Sequence, residues 1–176
     1  MAIKLHRGDL PAGQSFGPIV AIDTETMGLN PHRDRLCLVQ LSAGDGNAHL
    51  VQMPHGPAKA PRLSALLADP KVLKLFHFGR FDIAVLEHAL GVACEPVYCT
   101  KIAAKLARTF TDRFGLKDLC KELLAVDLSK QQQTSDWGAN SWVNKQNGTP
   151  KTITKQDDWG YSIGGPIGKP GGDNKL

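Results

Sequence analysis

The stretch Pro18-Ile19-Val20-Ala21-Ile22 is short, apolar and rich in β-branched residues, and it runs straight into the polar segment Asp23-Thr24-Glu25-Thr26. Such a run reads as a buried strand that ends in polar residues. Arg35 to Leu41 reads as a second strand. Ala48 to Val51 reads as a third, joined through the turn Gly44-Asp45-Gly46-Asn47. The three together predict an antiparallel meander. Further on, Arg62 to Leu67 is a short helix that stops near Asp69-Pro70, and Val72 to His77 is another strand. Phe81 to Leu90 carries Ile83, Leu86 and Leu90 at helical spacing and meets a stop signal at Gly91. Thr100 to Phe110 and Leu116 to Leu124 are two more helices. The order predicts an α/β fold, a sheet flanked by helices.

A chain of 176 residues is long enough for one domain with its own core. With 41% hydrophobic and 22% charged residues, its composition is that of an ordinary globular protein. The formal net charge of +4 is compatible with a nucleic-acid partner and does not demonstrate one. The four cysteines, Cys37, Cys94, Cys99 and Cys120, form no C-x-x-C pair and are expected to be buried free thiols. Met1 to Gly17 shows no secretory signal, and no stretch nears the ~20 apolar residues of a membrane span. A cytoplasmic protein with no membrane partner is the expectation. From Asn140 onward the pattern changes to scattered Gly, Pro, Lys, Asn and Thr. Residues 140–176 are therefore read as a poorly ordered tail behind a domain of residues 1–139.

Side chains alternate along an extended chain, so Asp23 and Glu25 point the same way. Two carboxylates on one face beside a buried strand repel each other, and a hard divalent cation would relieve that repulsion. Taken alone, the pair reads equally as two solvated acids at a turn. Asp82, in Phe76-His77-Phe78-Gly79-Arg80-Phe81-Asp82, stands where a strand passes into a helix and could face the same sheet end. Asp82 alone fits an acid at a helix N-terminus, and His77 alone fits a core histidine.

Together these segments resemble the DEDD exonucleases, specifically the ribonuclease D group. The matching residues are Ile22-Asp23-Thr24-Glu25-Thr26 with Gly28-Leu29, Leu38-Val39-Gln40-Leu41-Ser42, and His77 with Phe81-Asp82 and Val85-Leu86. Gly115-Leu116-Lys117-Asp118-Leu119 and the segment from Lys130 to Trp137 complete the likeness, which covers about Ile19 to Ala139. The resemblance implies a ribonuclease H-like mixed sheet, an antiparallel meander plus parallel strands. It also implies 3′-5′ exonuclease activity on RNA or DNA ends with two Mg²⁺ or Mn²⁺ ions. It assigns Asp23, Glu25 and Asp82 to catalysis and to the metal: Asp23 bridging both ions, Glu25 on one ion and the water, Asp82 supporting the other. It places Thr24, Thr26, Leu29, His77, Phe81, Ser135 and Trp137 along the substrate, with Trp137 open to a core role as well. Lys101, Lys105, Arg108, Arg113, Lys117 and Lys130 are candidates for phosphate contact by charge, or simply solvated cations.

The resemblance also implies a fourth acid, in a helical Tyr-x-x-x-Asp, shortly after the Ser135-Asp136-Trp137 segment. No such spacing occurs: Tyr161 is followed four residues later by Gly165, and Tyr98 by Ile102. A truncated or frame-shifted C-terminus is one expectation, and a catalytically impaired nucleic-acid-binding remnant is the alternative function. A ribonuclease H-like endonuclease or integrase is a weaker third reading, because it gives no reason for the His77-Phe81-Asp82 segment.

Overall fold

The computed structural model describes residues 2–128. Six strands make one mixed sheet: β1 Ala2–Arg7, β2 Ile19–Thr26, β3 Leu36–Ser42, β4 Asn47–Gln52, β5 Leu73–Phe76 and β6 Val97–Cys99, in the order β1-β4-β3-β2-β5-β6. β2, β3 and β4 pair antiparallel, as the apolar runs and the Gly44 to Asn47 turn predict. The pairs β1/β4, β2/β5 and β5/β6 are parallel. The helices are α1 Pro61–Ala68, α2 Arg80–Leu90, α3 Thr100–Ala107 and α4 Leu116–Leu124.

Two strands escaped the sequence reading. β1 lies at a sheet edge with Ile3 exposed, so it lacks the apolar run that marks an interior strand. β6 has only three residues and sits at the other edge. α3 also stops at Ala107 rather than Phe110, and Phe110 is exposed. Of the four free thiols, Cys37 and Cys94 are buried as expected, whereas Cys99 and Cys120 are only half-buried.

Burial along β2 alternates. Val20, Ile22 and Thr24 are buried, and Ile19, Ala21 and Asp23 are exposed. Val20 and Ile22 join Val39 and Leu41 of β3, Leu63 and Leu67 of α1 and Val85 and Leu86 of α2 in the core. The even positions of β2 thus face the helices, and Asp23 and Glu25 face the other way. β3 is buried at Leu36 to Val39 and at Leu41, leaving Gln40 and Ser42 as its half-buried polar residues.

Two devices fix the helices that carry the site. Asp9 caps α1 from a distance, accepting the backbone N–H groups of Arg62 (3.0 Å) and Leu63 (2.9 Å), orphan donors of the first turn. α2 ends at Gly91, whose left-handed φ of 65° lets its N–H reach the Glu87 carbonyl. Lys74 of β5 is wholly buried, and its Nζ donates to the carbonyls of Asp69 (2.6 Å) and Glu95 (2.7 Å). That ammonium ties the end of α1 to the segment before β6. Among the described residues no helix is long and apolar enough to cross a membrane.

Candidate active site

β2 delivers Asp23 and Glu25 to one face of the sheet, opposite Gln40 and Leu38 of β3. The β2/β3 register shifts between Glu25 and Thr26, where the acids end and the loop begins. Asp82 enters from the helix side, in the first turn of α2. Its Oδ1 accepts the Thr24 backbone N–H (3.1 Å) and the Thr24 hydroxyl (2.6 Å). Thr24, which lies between the other two acids in sequence, therefore joins the strand to the helix, and both partners of this contact are buried.

Burial raises all three carboxyls, and the charge of Asp82 adds to it at Asp23 and Glu25. Burial, then the charge of Asp82, raises Asp23 to about 6, with the Thr24 backbone pulling the other way. Asp23 retains exposed surface, yet the packing around its carboxyl is enough to disfavour the charge. Burial, then Asp23, then Asp82 raise Glu25 to about 8. Burial also raises Asp82, against the two bonds from Thr24 that favour its charged form. Acids of like charge gathered at one end of a sheet repel each other, and a cation would relieve that repulsion. As the side chains lie, however, no group of three or more His, Cys, Asp or Glu among the described residues is arranged to hold a metal ion. Asp82 Oδ1 is already engaged by the Thr24 amide and hydroxyl. The donor chemistry of three carboxyls suits a hard cation.

The passage from β5 to α2 is firmly held. His77 Nδ1 meets the Thr100 hydroxyl at 2.9 Å, that hydroxyl lies 3.1 Å from the Phe76 carbonyl, and the His77 ring also engages the Phe114 backbone. Burial, then Lys101, keeps His77 below the ordinary imidazole range, so the ring is neutral near pH 7. Phe78 adopts a left-handed φ of 65°, uncommon for a bulky residue. Its N–H donates to Cys99 Sγ (3.1 Å), and the Lys101 ammonium lies 4.3 Å from its ring centroid. Gly79 is required next to it, since a Cβ there would collide with the Phe76 side chain. This loop aims Asp82 at Thr24.

The other expected residues separate into groups. Leu29 is 57% exposed and, with exposed Met27, lies just beyond the acids, in the β2–β3 loop. The Thr26 hydroxyl donates to the Gly28 carbonyl in the same loop (2.5 Å). Phe81 is half-buried against the core rather than presented to solvent. Of the basic candidates, Lys101 is buried, Arg108 is buried and paired with Glu122, and Lys117 pairs with Asp127 at 3.1 Å. Lys105 lies near the Phe114 ring, and Arg113 is exposed. Ser135, Trp137, Lys130 and the proposed tail of residues 140–176 lie outside the described residues. Gln40 carried no role in the sequence reading, although its Nε2 is 3.4 Å from both Asp23 Oδ2 and Glu25 Oε1. The available signal was a single polar residue within Leu36 to Leu41.

The sequence matches the model of a 3′-5′ exonuclease family over residues 12–148, a little past the Ile19 to Ala139 likeness on either side. Ribonuclease D of Gluconacetobacter diazotrophicus is 34% identical over 122 residues, which is 69% of this chain and 30% of that protein. The chain thus spans about three tenths of the length of such curated relatives. NrnC of Brucella melitensis bound to pGG is 59% identical with a TM-score of 0.75, over 79% of this chain and 68% of that one. The same protein with bound Mg²⁺ is 56% identical with a TM-score of 0.76, over 83% and 71%.

Proposed function

The chain belongs to the 3′-5′ exonuclease family, and from that premise we propose that it removes nucleotides from the 3′ ends of short single-stranded RNA by metal-assisted hydrolysis. The observation that carries the proposal is the placement of Asp23 and Glu25 on one face at the end of β2, with Asp82 of α2 bonded to Thr24 between them. RNA is favoured over DNA because curated relatives are named ribonuclease D, and a short strand because a relative at 59% identity is bound to pGG.

Mg²⁺ or Mn²⁺, two ions in all, is the cofactor this donor set suits. Mg²⁺ is usually held by one or two carboxylates with water and substrate phosphate completing its shell, so a full protein cage is not required. Bound ions would supply activated water and stabilise the leaving 3′ oxygen. Asp23 would be shared between them, Glu25 would hold one and orient the water, and Asp82 would support the other. Thr24 keeps one oxygen of Asp82 occupied, and the second would remain for an ion. The backbone of Thr24 and Thr26 would line the terminal sugar, and exposed Leu29 offers apolar surface to the terminal base. His77 and Phe81 act in this reading by shaping the wall that carries Asp82.

The absence of Tyr-x-x-x-Asp from the sequence favours a second reading, a binding remnant with impaired catalysis. One experiment separates them. Incubate the full chain with 5′-labelled pGG and a longer single strand, in Mn²⁺ and in EDTA. Stepwise, Mn²⁺-dependent shortening that Asp23→Ala abolishes supports the exonuclease. Binding without shortening supports the remnant, and equal cutting by wild type and Asp23→Ala refutes the site.

A further inference from the structure

Gln40 stands in the register position directly across from Asp23 and on the same face as Asp23 and Glu25. Its neighbours along the strand, Val39 and Leu41, are buried in the core on the other face. Its amide nitrogen carries two N–H groups and lies 3.4 Å from one oxygen of each acid, Asp23 Oδ2 and Glu25 Oε1. Both contacts are long for N–H···O bonds, so their worth lies in direction more than in strength. The opposite amide orientation would set Oε1 against the Asp23 carboxylate and is disfavoured by repulsion.

From this bridge we infer that Gln40 is a positioning residue for the cation. It occupies Asp23 Oδ2 and Glu25 Oε1, and so leaves Asp23 Oδ1 and Glu25 Oε2 turned toward the ion. The inference rests on the proposed metal-dependent reading. Hydrogen bonds to ligating carboxylates fix ligand orientation, and their loss commonly weakens metal binding by roughly 10–100-fold. Without the amide, the two carboxyl groups are free to splay, and a cation must first gather them.

The test is Mn²⁺ binding to the full chain by calorimetry, with thermal unfolding in EDTA beside it. Gln40→Met keeps the side-chain length and removes both donors. It should weaken Mn²⁺ at least about tenfold while leaving the midpoint in EDTA within a degree or so. Wild-type affinity in Gln40→Met would overturn the role of Gln40 and leave the Asp23/Glu25 site standing. A weakening matched by a large drop of the midpoint in EDTA would assign Gln40 to folding instead, which also overturns the inference. Failure of the wild type itself to bind Mn²⁺ would sink the metal reading and this inference with it.

Discussion

Replacing Glu25 by glutamine should make the metal-free protein more stable at alkaline pH, and the reason is the direction of its titration. A carboxyl raised from 4.5 to about 8 binds its proton more tightly in the folded chain than in the unfolded one. Between those values the folded state holds the extra proton, so stability present at low pH is lost as pH rises toward about 8. At about 1.4 kcal/mol per pH unit the full displacement would cost roughly 5 kcal/mol. Solvent screens a half-buried site, so about 2 kcal/mol is the working figure. The substituted amide mimics the protonated carboxyl at every pH. In EDTA, Glu25→Gln should match wild type at pH 5 and exceed it by about 2 kcal/mol at pH 8.5, or ~4–8 °C in midpoint. The difference between the two proteins cancels the histidines His6, His49 and His77, whose lowered values act with the opposite sign at lower pH. Millimolar Mn²⁺ should reverse the order, because the ion stabilises only the fold that binds it. Urea titrations at the two pH values decide the matter. A Glu25→Gln protein no more stable than wild type at pH 8.5 in EDTA would refute the strained-acid account.

Thr24→Val removes the 2.6 Å hydroxyl donor to buried Asp82 at nearly constant shape. A cost of about 1.5–3 kcal/mol in urea unfolding at pH 8 is expected, and much of it should vanish in an Asp82→Asn background. Gly79→Ala forces a methyl into Phe76, which is 2% exposed; it should lose about 1–3 kcal/mol and weaken Mn²⁺ binding through Asp82, as calorimetry would show. Lys74→Met leaves the carbonyls of Asp69 and Glu95 without their donor. Relief of the buried charge offsets part of this, so a net loss near ~2 kcal/mol is expected by thermal unfolding, and an unchanged midpoint would count against the lysine tie.

By itself the sequence determined the layout that local pattern controls. The apolar runs at 19–22, 36–41 and 48–51 with a glycine turn between the last two dictate a meander, and Gly91 dictates the end of α2. The period of two along β2 already put Asp23 and Glu25 on one side, away from Val20 and Ile22. Where an element has little core contact, that signal fades. β1 and β6 lie at the sheet edges, and only the pairing of Ala2–Arg7 with β4 and of Val97–Cys99 with β5 defines them as strands. The tertiary structure alone decided which distant groups meet. Asp82 is 58 residues from Thr24, and the chain folds it back to take both the amide and the hydroxyl of that residue. Gln40 faces the acids only because of the register that sets it across from Asp23, and a slip of one residue would turn it into the core. The charges of Lys101, Arg108 and Lys117 likewise could be read from the sequence, but their partners Phe78, Glu122 and Asp127 could not. Periodicity is a property of neighbours along the chain, whereas a site made of repelling acids exists only where the packed core brings them together against their own charge.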